Sequence, residues 1–377
     1  MKFSKLEYII ALSLIDGIGP ILSKKLISYF KNVEEIFNLR NNFEKVPGIS
    51  KNLGNKIRNN IANNKIWEKT EKIINFCEKN NIKIITFEDK NYPYRLKNCD
   101  DSPLVLFAQT SEKFDFNSGF FIGIVGTRNP TIYGKNFCNL LIKEIYESKI
   151  PITIVSGFAY GIDITAHKKA IEYNLPTITV LPVGFDNIYP SLHKKYVKEI
   201  IKNGGIVSEF CLGVEIEKGI FIRRNRIIAG LCDGIIVIES KIDGGAMSTA
   251  NFAFNYNREV FALPGKTIDT YSEGPNYLIK TQKAQLIESF QDICNAFGWK
   301  KNKTLDNLPL TPSIEDLSDK EKEIINIIKQ HTKIDIDSLA LLLDTPVHKL
   351  SPLLLELEFK GIIKQLPGNI FQLTIKI

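Results

Sequence analysis

Three arginines stand within four positions in the stretch "FIRRNRIIAG": Arg223, Arg224 and Arg226, with Asn225 between them, after which the chain turns apolar at once. A guanidinium is a rigid planar fork of donors that fits a phosphate or carboxylate edge to edge. Near the start of a helix, such a cluster repels itself and meets the positive end of the helix dipole. An anion should compensate it. Internal acids such as Glu209 and Glu239 are one source and an external phosphate the other, and three cations are easier to explain with the phosphate.

More chemistry-bearing residues gather at turns that follow apolar runs. They are Gly126-Thr127-Arg128, Ser156-Gly157-Phe158-Ala159-Tyr160-Gly161, Pro182-Val183-Gly184, Ser208-Glu209, Glu239-Ser240 and Pro264-Gly265-Lys266. Glycine there admits a ligand to the backbone, and helix N-termini supply amides and partial positive charge. Asp163 and His167 lie one helical turn apart, the spacing of a base and its orienter, but no nucleophile accompanies them. A helix-capping and hydrogen-bonding pair is the simpler reading. "GIVGTR" is not GxGxxG, and no P-loop, HExxH or GxSxG occurs, so enzymatic chemistry lacks its parts and no cofactor is expected. The six cysteines form no CxxC pair, which reads as core thiols in a reducing compartment and no metal site.

The elements that must position these residues follow from periodicity. From Gly119 to Ser289, seven short Val/Ile-rich runs alternate with amphipathic stretches such as "YGKNFCNLLIKEIYES". Runs that are apolar throughout are strands covered on both faces, so residues 81–300 predict an α/β, Rossmann-like doubly wound parallel sheet whose ligand site lies beyond the strands' carboxyl ends. "NIKIITFEDKNYPYRLKNCDDSPLVLFAQT" adds one or two strands leading into it. Residues 1–80 read as a helical domain with two turns, "IDGIGP" and "VPGISKNLG", patterned like helix-hairpin-helix (SAM-like) turns. Phosphate-facing amides and plain helix C-caps both remain open for these turns. Residues 301–314 are a polar linker, and residues 315–377 predict three helices and a two-stranded ribbon turning at Pro367-Gly368-Asn369, a winged helix.

Charge narrows the partners. The chain of 377 residues carries +7, with the basic excess in the first 300 residues, which permits a polyanion. The winged helix holds 8 Lys and Arg against 10 Asp and Glu, and its third helix sets Lys349 and Lys360 against Glu356 and Glu358. A duplex reader needs a basic face, so protein contact or regulation is expected of this domain. No run of eighteen apolar residues and no secretion signal are visible, which predicts a cytoplasmic protein without a membrane span.

From about Tyr92 to Ser289 the chain resembles the DNA-processing protein family, DprA (also called Smf). The matching motifs are "GTRNPTIYG", "SGFAYGIDITAH", "YP", "GGIVSEF", "FIRRNRIIAGL", "GGAMSTA", "REVFALPG" and "EGPNYLIK". The resemblance implies a recombination mediator rather than an enzyme, one that binds and protects incoming single-stranded DNA and loads the recombinase RecA during natural transformation, and a homodimer formed through the Rossmann-like domain. Carried over residue by residue, the DNA contacts are Thr127 and Arg128 with Arg223, Arg224, Asn225 and Arg226, and Gly126, Ser156 and Gly157 form the close backbone pocket. Lys168, Lys194, Lys195, Lys266 and Lys280 are weaker candidates on the same rim. The chain departs from the family at Tyr160, where arginine is usual, at Gly244 (serine), at His193 (asparagine) and at Gln282 (glycine). Losing a rim arginine predicts weaker affinity, partly offset if the tyrosine stacks on a base at about 1–3 kcal/mol. The alternative is a nucleotide-processing enzyme of the phosphoribohydrolase-like group with a similar sheet. Its PGGxGTxxE loop corresponds here to "DGGAMSTANFAF", where no glutamate follows the threonine.

Overall fold

The structure, a computed structural model, describes residues 3–299, 317–331, 333–359, 362–366 and 369–373. The predicted linker at 301–314, together with Lys360, Pro367 and Gly368, lies outside the described residues. Residues 1–302 form one compact unit and residues 303–377 another.

Each of the seven apolar runs forms a strand, and two strands precede them. In chain order they are β1 (Lys83–Thr86), β2 (Val105–Thr110), β3 (Phe120–Val125), β4 (Ile152–Ser156), β5 (Thr177–Val180), β6 (Gly205–Ser208), β7 (Gly234–Val237), β8 (Glu259–Ala262) and β9 (Gln285–Leu286). They join in one sheet in the order β1-β2-β6-β5-β4-β3-β7-β8-β9. From β6 to β9 all pairs are parallel, as the alternation of strand and helix predicts. The two added strands run the other way, β2 antiparallel to both β1 and β6. The chain leaves β3 through β4, β5 and β6 on one side and returns to β7 on the other. That reversal places a switch point between β3 and β7, where open α/β sheets leave a crevice.

Why the runs are apolar throughout is visible in β3. Phe121 and Val125 pack on one face with Ile227, Ile228, Met247 and Ala250 from the helices Lys218–Leu231 and Gly245–Asn255. Ile122 and Ile124 pack on the other with Cys138, Leu141, Ile142 and Ala166 from the helices Ile132–Ser148 and Ile162–Glu172. Burying each such aliphatic side chain stabilises by about 1.5–3 kcal/mol. Neither face tolerates a polar residue cheaply.

The N-terminal segment is helical as expected. A capping box of Ser4 and Glu7 opens the helix Lys5–Ser13, Pro20 stands at the first position of Pro20–Phe30, and Ser50 caps Lys51–Ala62. With Lys65–Lys79 these helices bury Leu12, Leu26, Ile36, Phe43 and Ile57. The same core continues through Cys77 to Val105 and Phe107 of β2 and to Cys211. The helices are therefore seated on the sheet rather than forming a separate body.

In the second unit, the helices Asp319–His331, Ile336–Leu342 and Val347–Phe359 surround Ile324, Ile328, Leu339, Leu354, Leu357 and Phe371. Strands β11 (Ile363–Leu366) and β12 (Ile370–Leu373) make the predicted ribbon. A third strand, β10 (Lys333–Asp335), pairs with β12 and completes a three-stranded wing sheet.

Candidate nucleic-acid interface

A crevice of about 390 Å³ opens at the switch point. Its floor is the end of β3, where Gly126 packs so closely that a Cβ would stand 2.6 Å from Ile162 Cγ1 and 3.1 Å from the Glu239 carbonyl. The loop that follows is clamped. Thr127 donates its amide to the Glu239 carbonyl at 2.6 Å and accepts the Ile162 amide at 3.2 Å. Gly161, at φ +82°, takes the backbone conformation that lets the next helix start against this loop. Beyond it, the buried Glu239 carboxylate accepts the Thr131 amide at 2.8 Å and its hydroxyl at 2.5 Å, fixing the start of Ile132–Ser148.

Arg128 rides on that loop. It is exposed, and its guanidinium lies 5.4 Å over the ring of Phe221 from the arginine-bearing helix. The opposite wall is the N-terminal end of Gly245–Asn255, where Gly244, Gly245 and Ala246 line the crevice beside Ser240 and Lys241.

The arginine cluster divides by depth. Arg224, 6% exposed, donates to the carbonyls of Gly157 and Val180 and, through Nε, to Asn225 Oδ1 at 3.0 Å. Burial lowers its pKa to about 10, so it keeps its charge at neutral pH. Asp163 nearby is raised by burial against the opposing pull of Arg224. Asn225 ties Gly245 O at 3.1 Å and Ser248 Oγ at 2.8 Å, joining the two helices that wall the crevice. Arg226 is buried against Glu209 at 2.5 Å and the Asp101 carbonyl. Arg223 is half exposed, bonds Glu209 at 2.9 and 3.1 Å and lies 4.8 Å over the Phe210 ring.

This corrects two sequence-level arguments. The compensating anion is in large part internal, since Glu209 holds two of the three arginines. The helix begins at Lys218, which puts Arg226 in its third turn, beyond the reach of the dipole. Glu239, the other acid considered, pairs with Thr131 instead.

Of the sequence-predicted residues, Gly126, Thr127, Arg128, Arg224 and Asn225 line one crevice, whereas Arg223 and Arg226 do not, Arg223 bordering a second crevice instead. Ser156 does not reach it, because its buried hydroxyl donates to the Ile124 carbonyl at 2.6 Å. Gly157 lies beneath, holding Arg224. Lys168, Lys194, Lys195, Lys266 and Lys280 are exposed but line no part of the crevice. Asp163 and His167 are not a base and orienter. His167 is buried between Thr177 at 2.8 Å and Thr179 at 3.1 Å, and burial lowers its pKa to about 3. Sequence reasoning missed Asn129, Lys241 and Tyr271, which line the mouth. Lys241 directly follows the Glu239-Ser240 strand end, a signal that was available.

The departures also have settings. Tyr160 is 39% exposed, edge-on to His193 at 4.8 Å, and borders a small depression with Arg128, Tyr189 and Phe221. Gln282 stands at φ +56°, a backbone region that favours the glycine the resemblance leads one to expect there. His193 is buried against the Phe158 carbonyl at 2.8 Å.

Fold and crevice together define a doubly wound α/β module with a glycine-floored, cation-rimmed cleft, accompanied by a winged helix. The chain matches the family model described as DNA recombination-mediator protein A over residues 83–298, and the DprA winged helix domain over residues 309–369. It belongs to the DprA (Smf) family. It is 40% identical over 227 residues to the DNA processing protein DprA of Bacillus subtilis, covering 60% of this chain and 75% of that one. It is 34% identical over 308 residues to the Protein Smf of Escherichia coli, covering 79% of each. Among solved structures, Streptococcus pneumoniae DNA processing protein A superposes with a TM-score of 0.65 at 28% identity, covering 78% of this chain and 98% of that one. The Helicobacter pylori protein, whose structure is described as giving insight into a unique single-stranded DNA binding mode, superposes with a TM-score of 0.51 at 31% identity, over 57% and 95%. Among the described residues no helix is long and apolar enough to cross a membrane.

Proposed function

We propose that this chain binds single-stranded DNA along the switch-point crevice and acts as a recombination mediator, protecting strands and handing them to a RecA-type recombinase during natural transformation, as a homodimer and without catalysis of its own. The observation that carries the reading is Arg128, an exposed guanidinium stacked on Phe221 and held by a clamped loop over a glycine floor. A phosphate at Arg128 also faces the N-terminal end of Gly245–Asn255, whose first amides favour an anion. Lys241 adds charge on the far lip. Tyr160, Tyr189 and Phe221 offer faces on which an unpaired base can stack.

In this reading the predicted contacts take two roles. Thr127 and Arg128 meet the strand in the crevice with Lys241, and the exposed Arg223 meets it outside the crevice, while Gly126, Ser156, Gly157, Arg224, Asn225 and Arg226 build the support. The five outlying lysines contribute general field only. Fluorescence anisotropy with single-stranded and duplex oligonucleotides at two salt concentrations tests it. Single strands should bind tighter, log K should fall as log salt rises, and Arg128→Ala should weaken binding to all sequences alike. Equal affinity for duplex, or an Arg128→Ala curve that overlays the parent, refutes it.

A further inference from the structure

Cys77, near the end of the helix Lys65–Lys79, and Cys211, in the segment after β6, are far apart in sequence, yet their sulfurs lie 3.3 Å apart. Both are buried in the core that seats the helices on the sheet. Cys211 also lines a crevice of about 410 Å³, distinct from the switch-point cleft and bordered by Ile15, Gly17, Lys72, Leu104 and Phe210. The hydrogen bond between the sulfurs, aided by burial, pushes the Cys211 thiol up, and the same bond lowers Cys77. Cys99, by contrast, points at the Arg95 carbonyl.

We propose that Cys77 and Cys211 form an oxidative modification site, closing to a disulfide under hydrogen peroxide and reopening under a thiol reductant. Peroxide entering by the crevice oxidises the Cys77 thiolate, the stronger nucleophile of the pair, giving a sulfenic acid and hydroxide, and the hydroxide takes the proton Cys77 gave up to make one water. The Cys211 thiol then attacks that sulfur, and its proton leaves with the displaced hydroxide as the second water. Each sulfur loses one electron, and the peroxide is reduced by two. The sulfurs must close to about 2.05 Å, a movement of side chains rather than of elements. The new bond ties the N-terminal helices to the segment that carries Glu209.

The full-length chain is exposed to hydrogen peroxide, denatured, alkylated, digested and read by mass spectrometry, with urea unfolding in parallel. The expected result is a peptide pair linked through Cys77 and Cys211 and a higher urea midpoint, because the cross-link closes a long loop in the unfolded chain. Dithiothreitol reverses both, and Cys77→Ser and Cys77→Ala abolish both. The mass measurement on the unsubstituted chain stands even if a variant fails to fold. Recovery of both thiols in alkylated form, over-oxidation of Cys77 or Cys211 without the link, or a link from either to another cysteine would each overturn the proposal. None of these readouts depends on DNA binding.

Discussion

Arg223 and Arg226 share one carboxylate and differ in what solvent reaches them. Removing Arg226 leaves Glu209 buried with less compensation, so Arg226→Ala should lower urea stability by about 3 kcal/mol. Arg223→Ala, at the exposed end of the same network, should change it by no more than about 0.5 kcal/mol. If the two variants unfold at the same urea concentration, the division of the cluster by depth is wrong. Binding sorts the lysines in a similar way. Lys241→Ala should reduce single-strand affinity severalfold and flatten the salt slope by about 0.7, as one lost phosphate contact does. Lys266→Ala and Lys280→Ala, outside the crevice, should leave the slope as it is.

At the scale of elements, the buried imidazole on Ile162–Glu172 makes stability depend on pH. Burial, assisted by nearby His193 and Arg224, holds the His167 pKa at about 3 against an ordinary 6.5. The folded pKa is depressed, so its contribution is complete above about 6.5 and is lost as pH falls toward 3. At pH 5 the unfolded chain has taken up a proton that the native one refuses, a loss of about 2 kcal/mol relative to pH 8. Urea midpoints at the two pH values should show it, and His167→Gln should flatten the difference. The elements themselves were legible in the sequence because their causes are local. Runs such as "FFIGIV" and "GIIVIES" are apolar throughout since both faces of the sheet are covered. The antiparallel course of β2 and the third wing strand β10 were not, because both depend on which distant strand lies alongside. The site was legible in part for the same reason. Glycine-bearing strand ends announce a crevice, but nothing local says that Glu209 turns back to Arg223 and Arg226, or that the Ser156 hydroxyl points into the sheet.

For the whole molecule, the division at residue 302 separates the crevice from the winged helix. A chain ending there should keep its single-strand affinity and salt slope within about twofold. Duplex affinity that falls sharply on the same truncation would assign groove reading to the winged helix after all, against its excess of acids. The domain expectation is tested alongside: residues 315–377 alone should give a cooperative unfolding transition built on the Ile324–Phe371 core.

Glu209 has one further effect on how the chain meets a polymer of phosphates. Arg223 reaches the surface with an anion already in hand. A strand that takes Arg223 exchanges one negative partner for another, and the carboxylate it evicts is left with Arg226 alone. Fewer mobile ions leave than a count of surface arginines suggests, so the grip is shallower in salt.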